Sequence, residues 1–159
     1  MAEQAAAPAE PAGASPQKPC SSEQHRQFDF WIGDWTVTQN GQPAGANTIE
    51  LRHDGCVLSE AWTSVSGWSG SSLNVYDQAS GRWHQTWVDA SGVLLLLDGG
   101  FTDGHMVLSG TRAGPDGREV MNRIRWTPNA DGSVRQHWQT SADGKSWTTV
   151  FDGQYVRVR

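Results

Sequence analysis

The sequence predicts an all-β protein, a single up-and-down antiparallel β-barrel of about ten strands preceded by a short N-terminal helix. Three observations lead there. Turn-forming pairs ending in glycine recur from Asn40-Gly41 to Asp143-Gly144, closely enough to cut the chain into strand-length pieces. Within those pieces apolar and polar residues alternate, and no helical period survives beyond Asp34. The composition, 18 Gly and 9 Trp in 159 residues with 18% charged, is that of a turn-rich chain long enough for one core. Short consecutive strands in a flat sheet would expose their edges, so closure is the economical solution; a two-sheet sandwich is the alternative.

Taken in order, residues 1–20 form an Ala/Pro/Gln/Ser-rich leader without an aromatic residue, too poor in apolar bulk to offset the entropy of ordering it. The domain proper runs over 21–159. Ala2-Glu3-Gln4-Ala5 after Met1 reads as the start of an exported chain whose signal peptide an initiator methionine replaces. Two cysteines, Cys20 and Cys56, fit that compartment, since an even pair in an exported protein is usually a bridge, and their separation is large for a metal knuckle. The alternative is a pair of free buried thiols. Ser22 is an N-cap candidate for one or two helical turns leading into Phe28 and Phe30.

The strands are expected at about 34–39, 46–52, 56–65, 71–76, 82–89, 93–97, 106–111, 119–127, 133–140 and 146–159. The boundaries come from the glycine turns, and Trp68-Ser69-Gly70-Ser71-Ser72 reads as a flexible hairpin or portal loop.

The formal charge of −5 carries no Lys/Arg run, so neither nucleic acid nor an anionic membrane is an expected partner. Val93 to Leu97 is the longest apolar run, strand-sized and far short of a spanning helix, so no membrane insertion is expected.

Alternation groups the residues that carry chemistry. Leu58, Glu60 and Trp62 share a face, as do Trp83, Gln85 and Trp87, and Val134, Gln136 and Trp138. An aromatic face normally points inward, which would carry Glu60, Gln85 and Gln136 into the lumen among tryptophan rings, the makeup of a small-ligand pocket. The same tryptophans also serve simply as core. An ionised Glu60 in such a lumen needs a partner, for which Arg123 and Arg125 are candidates if their face is the inner one. If instead the face of Val120, Asn122, Ile124 and Trp126 points in, Asn122 joins the pocket.

The five histidines include no close-spaced ligand pair, so no metal site is signalled, and a haem would need an axial histidine that these faces do not supply. No cofactor is expected. Neither a Gly-x-Ser-x-Gly elbow nor a glycine loop opening a helix is present, leaving hydrolase and nucleotide-binding readings unsupported.

Phe28-Asp29-Phe30-Trp31-Ile32-Gly33-Asp34-Trp35 joins an aromatic cluster to a Gly-x-Trp unit just before the first strand. At Gly33 and Trp35 the chain resembles the lipocalin, or calycin, superfamily, whose first strand carries this motif at the closed end of the barrel. With Gly55-Cys56, Trp83-x-Gln85-x-Trp87-x-Asp89 and Phe151-Asp152-Gly153-x-Tyr155, residues 24–159 are similar to a family of small secreted bacterial lipocalin-like proteins known mostly as a domain of unknown function. The resemblance implies a late-strand arginine, Arg157 or Arg159, stacked on Trp35.

The functional expectation is a periplasmic or secreted binding protein for an aromatic, amphipathic or sugar-like small molecule. The expected site is Glu60, Trp62, Trp83, Gln85, Trp87, Asn122, Gln136 and Trp138. The alternatives are a barrel enzyme, an isomerase, cyclase or lyase using Glu60 as general acid/base, and an interaction module with a filled barrel.

Overall fold

The computed structural model describes residues 17–159, so most of the expected leader, residues 1–16, lies outside the described residues. The fold is a closed antiparallel barrel of ten strands. They are β1 (Gly33–Gln39), β2 (Gln42–Arg52), β3 (Val57–Ser64), β4 (Ser69–Asp77), β5 (Arg82–Asp89), β6 (Leu94–Thr102), β7 (His105–Ala113), β8 (Glu119–Pro128), β9 (Val134–Ser141) and β10 (Thr148–Arg157). Each strand pairs with the next, and β1 closes on β10 with Trp35 opposite Arg157 and Val37 opposite Tyr155. One helical turn, α1 (Glu23–Arg26), and a 3-10 turn at Asp29–Trp31 precede the barrel.

Ser22 occupies the N-cap of α1, but its hydroxyl meets His25 Nδ1 at 2.6 Å instead of a backbone N–H. His25 is buried edge-on to Tyr76 and reaches Gln78, which fastens the helix to the far end of β4. Arg26 hydrogen-bonds the carbonyl of Gly55 in the turn between β2 and β3, and the Cys20–Cys56 disulfide ties the same two segments. In the chain-entropy picture a bridge closing a loop of this length stabilises the fold by about 4 kcal/mol.

The N-terminal segment thereby stoppers one end of the barrel. Phe28 and Trp31, both fully buried, stack on each other, and Trp83 and Trp126 stand edge-on to Phe28. Trp35 donates its indole N–H to the Trp31 carbonyl at 2.8 Å. Arg157 is the late-strand arginine: its guanidinium lies 4.3 Å from the Trp35 ring centre and donates to the carbonyls of Ile32 and Phe30.

Two stretches depart from expectation. β6 runs through Asp98-Gly99-Gly100 to Thr102, well past the expected end at 97. Gly99 lies so close to β7 that a Cβ there would fall 2.0 Å from the Val107 carbonyl oxygen, so this glycine lets two strands approach instead of breaking one. Ser69 and Gly70, expected in a loop ahead of the strand at 71–76, belong to β4. The apolar run in β6 is split by the pleat, with Leu95 and Leu97 in the core and Leu94 and Leu96 on the outer wall.

Candidate functional site

Strand alternation carries every second residue of β3, β5, β8 and β9 into the barrel. Leu58, Glu60 and Trp62 point inward on β3; Asn122, Ile124 and Trp126 do so on β8. The opposite face of β8 is outer, so the partner sought for Glu60 is not there. Arg123 lies over the exterior Trp147 ring at 3.9 Å and donates to Gln139, and Arg125 is exposed.

Above the aromatic stopper the lumen opens into a cavity of about 310 Å³. Its floor presents Glu60, Gln85, Gln136 and Tyr155, its side Leu95 and Ile124, and its mouth Trp62, Trp68, Trp87, Trp138, Val150 and Phe151. The barrel is therefore filled in its closed half and hollow in its open half, which does not match a filled interaction module.

The floor is a continuous hydrogen-bonded belt. Gln85 donates to Asn74 at 2.8 Å, Asn74 to Ser72 at 2.9 Å, and Ser72 to Glu60 Oε2 at 2.5 Å. From the other side Asn47 donates to Glu60 Oε1 at 2.8 Å and to the Tyr155 hydroxyl at 3.2 Å, and Tyr155 donates to Gln136 at 2.6 Å. Burial raises the Glu60 carboxyl above its ordinary value, opposed by the bonds from Ser72 and Asn47. Burial, with the nearby Glu60 carboxylate, also pushes the Tyr155 phenol well above its ordinary value.

Three of the four indoles at the mouth present carbon surface, because they spend their N–H groups on the wall. Trp87 donates to Asp89, Trp138 to Asn122 and Trp68 to Ser91, each at 2.9 Å. Trp62 stands edge-on to Phe151, their ring centres 5.8 Å apart. Such anchoring holds each ring at a set angle to the opening.

No protein-family model matches this chain, and no curated protein matches it in sequence.

Of the expected residues, Glu60, Trp62, Gln85, Trp87, Gln136 and Trp138 line the cavity, whereas Trp83 and Asn122 do not. Trp83 faces inward but near the closed-end start of β5, one tier below, against Phe28 and Tyr76. Its neighbour on the same face, Trp87, sits four residues up the strand, about 13 Å higher. Asn122 is buried behind Trp138, whose N–H it accepts. Alternation assigns a face; height along the barrel comes from distance to the turn, a signal available in Gly81 just before β5. Tyr155, Phe151 and Trp68 join the site without having been singled out. Two of these stood in a quoted motif, and the third in the stretch read as a portal loop, where Trp68 does border the opening.

Proposed function

We propose that this chain is a periplasmic or secreted, lipocalin-like binding protein that holds a small molecule in the open half of its barrel. One observation carries the reading: a cavity with an aromatic rim and a hydrogen-bonded polar floor, at the small end of the range typical of ligand pockets. In this reading Trp62, Trp87 and Trp138 enclose the ligand's apolar body, while Glu60, Gln85 and Gln136 orient its polar end. Trp83 and Asn122 support the site from behind. The Cys20–Cys56 bridge supports the compartment, because such bonds persist where the surroundings are oxidising.

The raised carboxyl of Glu60 favours a second reading, in which it acts as a general acid/base in the same cavity. The two are separated by Glu60→Gln, which keeps shape and removes charge. A binder loses affinity, by roughly one to two decades for a bond to the ionised carboxylate, whereas an enzyme keeps affinity and loses turnover. The cavity itself is tested with Ala44→Trp, which adds a ring at the mouth. A small-molecule set that shifts the tryptophan emission of the parent protein should not shift that of the variant; an equal response in both would place binding elsewhere.

A further inference from the structure

The floor of the cavity holds one carboxyl group with no cation against it. Glu60 is 6% exposed, and no Lys, Arg or His is among the residues lining the cavity. Every ion pair found among the described residues lies elsewhere. Buried carboxylates are normally paired or protonated, since an isolated ion in a low-dielectric site is costly.

The hydrogen bonds around Glu60 suit its ionised form. Asn47 offers Oε1 an amide N–H, which can only donate. Ser72 accepts from Asn74 and donates its own hydroxyl proton to Oε2. Both carboxylate oxygens therefore face a donor when Glu60 is ionised. The shell is complete for an anion except for positive charge, and the open side of Glu60 is the cavity.

Other parts of the lining also suit a cation. Gln85 spends its amide nitrogen on Asn74, which leaves its carbonyl oxygen as a second acceptor on the floor. The mouth carries four indoles and Phe151, and three of the indole N–H groups are tied to the wall, so at those three rings the cavity meets ring carbon instead of N–H donors. Aromatic rings around a carboxylate attract a cation through their negative faces, and desolvation strengthens that attraction.

From this juxtaposition, and resting on the binding reading above, we propose that the cavity takes a small organic cation, an amine or ammonium group on an apolar body, with its charged end on Glu60. Exchange of that cation for solvent moves no covalent bond and leaves the belt from Gln85 to Gln136 in place.

Three phenyl-bearing probes of similar size and different charge test this: phenethylamine, 2-phenylethanol and phenylacetate, titrated at neutral pH against the full disulfide-bonded chain with tryptophan emission as the readout. The amine should bind about tenfold or more tighter than the alcohol, and the carboxylate weakest. Glu60→Gln should lower amine affinity by about tenfold or more and lower that of the alcohol by a smaller factor. Should the alcohol or the carboxylate bind as tightly as the amine, or should the amine be indifferent to Glu60→Gln, the cation proposal falls while the binding reading stands. Should none of the three alter the emission at concentrations where the chain stays folded, both fall together. Thermal melts of the variant show whether a lost response reflects the site or the fold.

Discussion

Gly70 on β4 lies directly beneath the indole of Trp87 on β5: a Cβ at Gly70 would fall 2.2 Å from Cζ2 of that ring and 2.3 Å from its neighbouring carbon. The indole can lie flat over the sheet at the cavity mouth only because the strand next to it has no side chain there. Its N–H then reaches Asp89 at 2.9 Å, whose other oxygen accepts the backbone N–H of Ser91 in the following turn. One missing methyl group thus sets the angle of a ring that borders the opening.

Gly70→Ala is accordingly expected to swing Trp87 off its seat and break its bond to Asp89. Overpacking of this kind costs about 1–3 kcal/mol, and the emission and near-ultraviolet circular dichroism of the protein should change with it. In a Trp87→Phe background the same substitution should cost much less, because the ring it strikes is smaller. A double-mutant cycle in urea measures the coupling, and equal costs in the two backgrounds would mean that Gly70 does not seat Trp87.

Trp35→Ala is expected to cost about 3–5 kcal/mol, the range for deleting a fully buried large aromatic. Arg157→Ala should cost less, about 1–2 kcal/mol, since it removes one cation–π contact and two bonds to the carbonyls of Ile32 and Phe30 near the surface. Both changes sit at the closed end. Binding of any probe in the cavity should survive them under conditions where the variants remain folded, which denaturant melts and emission titrations on the same samples can establish.

Glu60 makes stability depend on pH in a stated direction. Its carboxyl is raised in the fold, so between its unfolded value near about pH 4.3 and its folded value the native state holds the extra proton. Stability from this group is therefore greatest below that window and falls as pH rises through it. The effect is isolated by comparison with Glu60→Gln: the stability of the wild type relative to the variant should decline as pH rises above the unfolded value and level off once Glu60 is ionised in the fold. Tyr155, the other titratable side chain lining the cavity, is pushed well above its ordinary range and does not titrate in that window. Asp152, held low mainly by its bonds from Arg135, acts in the opposite sense at more acidic pH, and it is common to both proteins. Urea midpoints across the range check the slope, and a flat difference would mean that Glu60 has the same carboxyl acidity folded and unfolded.

Much of the architecture was legible in the residues. Hairpin pairs such as Asn40-Gly41 and Asp103-Gly104 adopt the positive φ angles that tight turns demand, and they mark the strand ends directly. Alternation put Glu60, Gln85 and Gln136 on the tryptophan faces of their strands, and the even cysteine pair pointed to the bridge. These are local features: a turn needs its own dihedral angles, and a pleat sends neighbouring side chains to opposite sides wherever the strand is placed.

What the residues did not disclose depends on how the strands lie against one another. Glycines mislead in this way. Gly99 and Gly70 look like breaks, yet they sit inside strands, one where two backbones converge and one beneath a ring from the next strand. The need for a partner at Glu60 was evident, but the nearest candidates in sequence pattern, Arg123 and Arg125, were turned outward by the pleat of β8. The donors that do reach Glu60, Asn47 and Ser72, come from the two strands beside it, and Asn47 is opposite Trp62 in register while Ser72 is opposite Glu60 itself. By itself, then, the sequence determined the turns, the approximate strands and which residues share a face. Only closure of the barrel decided which tier each inward residue occupies and which groups from neighbouring strands surround Glu60, because both are fixed by register and height across the sheet, not by spacing along the chain.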